Sequence, residues 1–171
     1  MRKQIDANLR IKIQARIKNR LDISDLIEGY DISGENLSRA IITKLNVCDM
    51  NISNTDFSDS IIGSKDNNIM MNRTRFKHCS FLRAQIIGIA YMRHALFLNC
   101  NFKETFMPYI DYKFSQWQNC VFCDAVFAIG TGKGLGAIFD NKFFGDLSEN
   151  WGVVVLRKTE YEKLLRGKEN G

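Results

Sequence analysis

Three cysteines, Cys79, Cys100 and Cys120, are separated by 21 and 20 residues, while Cys48 and Cys123 stand outside that spacing. Thiolates ligate soft metals and attack electrophiles, but a zinc site needs ligands converging on a tetrahedron and a nucleophile needs a lowered pKa. Neither condition is signalled around these five residues. His78 and His94, the two histidines, form no recognisable catalytic order with a serine, cysteine or carboxylate. The run Gly130-Thr131-Gly132-Lys133-Gly134-Leu135-Gly136 has the glycine content of a phosphate-wrapping loop. However, no Ser or Thr follows Lys133 and no strand-to-helix unit surrounds it, so it matches neither nucleotide-binding pattern and is expected to be the exit from the preceding repeat. The sequence therefore predicts no enzyme, no catalytic residues, no metal, no cofactor and no small-molecule substrate.

The elements that position these residues follow a period of five. Large apolar residues recur at Ile32, Leu37, Ile42, Val47, Ile52, Phe57 and Ile62. After an irregular stretch the series resumes one residue out of phase at Met71, Phe76, Phe81, Ile86 and Tyr91. It regains its first phase at Phe97, Phe102, Met107, Tyr112, Trp117, Phe122 and Phe127. The two slips read as a deletion near Asp66 and an insertion near Met92. Two positions before each large residue stands a small one, such as Ala40, Thr55, Thr74, Cys79, Cys100, Ser115 or Cys120, with Glu35, Leu45, Met50 and Ile110 as exceptions. Neither the helix period of 3.6 nor the strand period of 2 generates a small-large pair every fifth residue.

Units such as Thr55-Asp56-Phe57-Ser58-Asp59 and Cys100-Asn101-Phe102-Lys103-Glu104 resemble the motif of the pentapeptide-repeat proteins, and the resemblance covers residues 32 to 129. It implies an all-β fold, a right-handed quadrilateral β-helix in which four pentapeptides make one square coil. The large and small residues would point inward, and coils would stack about 4.8 Å apart. Residues 20 apart would lie one above another, so Cys79, Cys100 and Cys120 would form a column at the small inward site, where a free thiol acts as a small hydrophobe. A solenoid coil cannot bury its inward residues alone; stacking makes the core and the ends need caps. The expected organisation is an N-terminal basic arm and cap over 1–31, the solenoid over 32–129, and a C-terminal strand/helix cap or docking segment over 130–171.

Surface composition bears on partners. The chain carries 24 Lys and Arg against 19 Asp and Glu, but residues 31 to 127 hold ten against nine, so no acidic column is expected. Pentapeptide-repeat proteins that protect type II topoisomerases are acidic rods imitating DNA, and competition for a basic groove needs negative charge. A topoisomerase-binding DNA mimic is therefore the alternative reading and a protein-binding scaffold the main one. Its expected contact surface is an apolar patch of Ile87, Phe106, Pro108, Tyr109, Val126, Ala128 and Ile129, with Phe114 round the corner. Phe143, Phe144 and Trp151 of the tail either cover that patch or join it against a partner.

At the N-terminus, Leu9, Ile11, Ile13, Ala15 and Ile17 alternate with polar residues as in a strand, whereas Ile5, Leu9, Ile13, Ile17 and Leu21 recur as on a helix. Both readings give a cationic arm of Arg10, Lys12, Arg16, Lys18 and Arg20. Near the C-terminus, Val153–Leu156 reads as a strand, and Thr159 with Glu162 as a helix capping box. An odd count of five cysteines and no leader-like apolar run point to a reducing, cytoplasmic setting, alone or in a larger assembly such as a viral particle. The expected partner is a protein, a second copy of this chain included; nucleic acid and membrane are not expected.

Overall fold

The computed structural model describes residues 2–127, with the backbone alone at Phe127 and at two further strands, Ile138–Phe139 and Val154–Val155. The chain winds into a four-sided parallel β-solenoid. Its first face is a line of bridges linking Asn36, Asp56, Ser80, Asn101 and Val121. The second is a six-stranded sheet of Ile41–Ile42, Ile61–Ile62, Gln85–Ile86, Phe106–Met107, Val126–Phe127 and Val154–Val155. The third has four strands, Leu45–Asn46, Ile69–Met70, Ala90–Tyr91 and Ile110–Asp111. The fourth has five: Asn51–Ser53, Arg75–Lys77, Leu96–Leu98, Gln116–Gln118 and Ile138–Phe139. Every ladder is parallel, because each coil travels the same way round as the one below it.

The period of five follows from this geometry. Each unit sends two side chains inward, turns a corner, and repeats. Three of the corners place a residue in the left-handed region: Asn54, His78, Asn99 and Asn119 on one, Arg39, Asp59, Arg83, Glu104 and Asp124 on another, Asp49, Arg73, His94 and Phe114 on the third. Asn, Asp and His tolerate that conformation better than most residues.

Inside, Phe57, Phe81, Phe102 and Phe122 form a stack with ring centroids 4.9, 4.8 and 5.4 Å apart. Phe76, Phe97 and Trp117 form a second at 5.0 and 4.0 Å. The two columns meet edge to face, as between Phe97 and Phe102 at 5.4 Å. Ring spacing thus follows the distance between hydrogen-bonded strands, and each aromatic pair contributes about 0.5–1.5 kcal/mol beyond the area it buries.

Coil length departs from expectation. Neighbouring coils pair residues 20 apart at Ile42 and Ile62, 24 apart at Ile62 and Ile86, and 21 apart at Phe76 and Phe97. The first slip is therefore an insertion of four residues and not a deletion near Asp66; modulo five, four added residues look like one removed. It forms a loop over 63–68 between the second and third faces, closed by an antiparallel bridge of Ser64 and Asn67. The second slip is one added residue at Ile87–Ile89, earlier than Met92. Its effect is to put Ala90 and Met92 inward, at 0% and 1% exposure, and to turn Tyr91 outward onto the third face.

The N-terminal residues complete a coil of their own. Lys3–Gln4 pairs in parallel with Tyr30–Asp31, the α1 helix (Ala7–Lys18) follows, and Asp22 bridges Ile41 on the second face before the short α2 helix (Ser24–Ile27). Asp6 caps α1 by accepting the Leu9 N–H at 2.8 Å. Leu9, Ile13 and Ile17 face the first coil, with Ile13 1% exposed, while Ile11 is 68% exposed. The four-residue recurrence, not the alternation, describes this segment, since a strand would place Ile11 beside Leu9 and Ile13. Ile5, Ile23 and Ile27 are buried in the same cap.

Candidate functional site

The thiol column forms as the coil geometry requires. Cys79, Cys100 and Cys120 are buried at the corner between the fourth and first faces, in line with Glu35 and Thr55. Each sulfur donates to the carbonyl of a rung in the coil before: Cys79 to Ile52 at 3.7 Å, Cys100 to Phe76 at 3.6 Å and Cys120 to Phe97 at 3.6 Å. Thr55, Thr74 and Thr105 make the same type of bond to Ile32, Val47 and Phe81 at 2.7–2.8 Å. The cysteines thus substitute for threonines that tie one coil to the next. The neighbouring thiol and burial raise the pKa of Cys79 far above the ordinary range, and sulfur contact with Cys120 and burial push Cys100 up to about 12. Such thiols stay protonated and unreactive. Cys120 and Cys123 also have C-x-x-C spacing, although the sequence offers no ligand set around it. The two diverge: Cys120 points into the core, and half-exposed Cys123 meets Asp124 at 3.2 Å. Among the described residues no group of three His, Cys, Asp or Glu side chains is placed to hold a metal ion.

The predicted apolar patch is split between two edges. Phe106 and Val126 lie in register on the second face, both half-buried, and Pro108 is buried. Ile87 and Ile89 project on either side of buried Gly88, at 40% and 38% exposure, where the second face turns into the third; half-buried Tyr109 lies at the same turn. Phe114 is a whole face away, at the corner between the third and fourth, 47% exposed and stacked on His94 at 5.0 Å. Ala128, Ile129, Phe143, Phe144 and Trp151 lie outside the described residues, as do the glycine run, Thr159 and Glu162. Val154–Val155 does form a strand, adding to Val126–Phe127.

The basic arm is divided in the same way. Arg10 makes a two-point contact with Glu35, and Arg16 pairs with Asp25. Lys12, Lys18 and Arg20 are exposed and join no ion pair among the described residues. Along the solenoid, two acidic corner residues, Asp49 and Asp59, are neutralised locally by arginines. Arg73 grips Asp49 at 2.6 and 2.7 Å, and Arg83 grips Asp59 at 2.7 and 2.9 Å, which lowers both carboxyl pKa values. Asp111, on the third face, is buried; burial pushes its pKa up, but the Arg93 guanidinium at 2.5–2.8 Å, with the Lys113 backbone N–H and charge, makes the net shift downward.

Square coils, small-large inward pairs and left-handed corners together define a four-sided β-solenoid with the pentapeptide-repeat fold. No family model matches the chain, and no curated protein matches it. Solved structures similar to it include a pentapeptide repeat protein from the Arabidopsis thaliana thylakoid lumen, at 18% identity over 67% of this chain and 64% of that one, with a TM-score of 0.33. QnrB1, a plasmid-mediated fluoroquinolone resistance protein, is 14% identical over 73% of this chain and 93% of its own, TM-score 0.24. HetL, involved in heterocyst differentiation regulation in the cyanobacterium Nostoc, is 11% identical over 69% and 70%, TM-score 0.26.

Proposed function

We propose that this chain is a non-enzymatic protein-binding scaffold that works through its outer faces and ends. One observation carries the reading: the interior of the prism is filled by ring stacks at 4.0–5.4 Å, so only outward side chains are available to a partner. Apolar groups that a solvated exterior does not need stand on that outside, at Ile87, Ile89 and Phe114. The odd number of thiols suits a reducing compartment, so the proposal includes a cytoplasmic setting or a particle assembled there. DNA mimicry is the weaker reading, since Asp49, Asp59 and Asp111 are each held by an arginine and present no bare acidic column.

Solution mass and affinity capture test this reading together. The intact chain should form a discrete oligomer or retain a defined protein that Ile87→Asp/Ile89→Asp, or removal of residues 130–171, releases. A strict monomer that retains nothing overturns the proposal, and protection of gyrase in a supercoiling assay would favour the DNA-mimic alternative.

A further inference from the structure

The N-terminal cap differs in charge from the rest of the solenoid. Its acidic groups are all engaged: Asp6 caps α1, Asp22 accepts from Ser24 and Thr43, Asp25 pairs with Arg16, Glu28 pairs with Lys44, and Asp31 accepts from Gln4 and Ser33; Glu35 of the first coil pairs with Arg10. Lys3, Lys12, Lys18 and Arg20 are exposed and join no ion pair among the described residues. Next to Lys12 and Arg20 in sequence stand the two most exposed large apolar side chains among the described residues, Ile11 at 68% and Leu21 at 54%. Seven residues apart on α1, Ile11 and Lys18 share a side of the helix, and Lys12 flanks Ile11. An open cleft of ≈ 540 Å³ beside this surface is lined by Ile17, Lys18 and Arg20 of the cap together with Arg39, Asp56 and Asp59 of the coils.

We infer that the outer side of α1, with Arg20 and Leu21 beyond it, is a docking surface for an acidic protein segment carrying aliphatic side chains. This rests on the protein-binding reading and names the chemistry of one partner. Uncompensated cations favour an anionic partner and make association sensitive to salt. The interleaved Ile11 and Leu21 select among anions: phosphates offer nothing to bury them, and no aromatic residue from Arg2 to Gly29 is present to stack on a base. A second copy of this chain fits poorly, because it carries net +5 and two of its corner carboxylates, Asp49 and Asp59, are already held by arginines.

Fluorescence anisotropy with the full chain tests this, using a labelled synthetic peptide of Glu, Asp and Leu. The comparators are an all-Glu peptide, duplex DNA of equal charge, and phosphatidylserine vesicles. The mixed peptide should bind tightest. Lys12→Glu/Lys18→Glu/Arg20→Glu should weaken it by about tenfold or more, and Ile11→Asn should bring it close to the all-Glu peptide. Lys65→Glu/Lys103→Glu should bind as the wild type does. Tighter binding of DNA or vesicles, no peptide binding by the wild type, or full binding by the triple variant overturns the inference. Ile87→Asp/Ile89→Asp should keep peptide binding, so failure here and failure of the general scaffold reading are separately visible.

Discussion

The Arg10 guanidinium reaches from α1 to the buried Glu35 carboxylate, Nε to Oε2 at 2.9 Å and Nη2 to Oε1 at 2.6 Å, and so fastens the cap to the first coil. Glu35 heads the column that continues through Thr55, Cys79, Cys100 and Cys120, which is why an acidic residue occupies a site otherwise given to small ones. Arg10→Ala should lower the melting temperature, because it strands a buried carboxylate. Adding Glu35→Thr to that variant should restore most of the loss; calorimetry of the two variants checks the coupling. Equal melting of Arg10→Ala and the wild type would mean the pair does not hold the cap.

Phe102 touches four rings, stacked on Phe81 and Phe122 and edge-on to Phe97 and Trp117. Phe102→Ala should cost about 3–5 kcal/mol in urea unfolding. Phe102→Asp, which adds an unpaired charge in the core, should cost more.

Two glycines with positive φ should respond oppositely. Gly34, at φ +76 with open space around it, occupies the corner that Asn54, Asn99 and Asn119 occupy in later coils, so Gly34→Asn should leave thermal stability unchanged or slightly raised. At Gly63, φ +92, an added Cβ would lie 2.6 Å from Ile69 Cδ1 and 2.9 Å from the Gly88 nitrogen. Gly63→Asn should destabilise clearly in the same assay.

Thiol protection gives a pH prediction with a definite sign. The pKa values of Cys79 and Cys100 are raised on folding, Cys100 to about 12. Below the unfolded thiol pKa their contribution is fully present; above it the unfolded chain releases protons that the native chain keeps. Stability should then fall by about 1.4 kcal/mol per pH unit for each such thiol as pH rises from near 9 toward 12. Mass spectrometry after iodoacetamide at mild pH should find native Cys48 and Cys123 modified and Cys79, Cys100 and Cys120 modified only after unfolding.

Phe114 holds φ 57 at an exposed corner where bulky residues are rare, with one side of its ring stacked on His94. Phe114→Asn should raise thermal stability by up to about 1 kcal/mol. If the ring serves an interface, the same variant should lose a partner that the wild type retains.

The repeat was legible because inward residues are fixed by the stack: from Leu37 to Ile62 each large residue falls where the spacing places it. Legibility failed where the chain adds residues. A periodic pattern reports position only modulo five, so four extra residues at 63–68 look like one lost, and the spacing puts Tyr91 inward where Met92 belongs. At the cap, alternation and four-residue recurrence describe the same isoleucines, and only the exposure of Ile11 separates them. The divided apolar patch was harder still. Phe114 and Tyr109 are five apart in sequence yet a full face apart in space, because one pentapeptide spans one side of the square.

Both departures from uniform coil length fall on a single edge, between the second and third faces, and the rungs on either side keep their stacking. That edge works as an expansion joint. It takes up extra chain without passing any offset to the neighbouring coils, so foreign loops grafted between Ser64 and Asn67 should be displayed there while the rest of the prism keeps its shape.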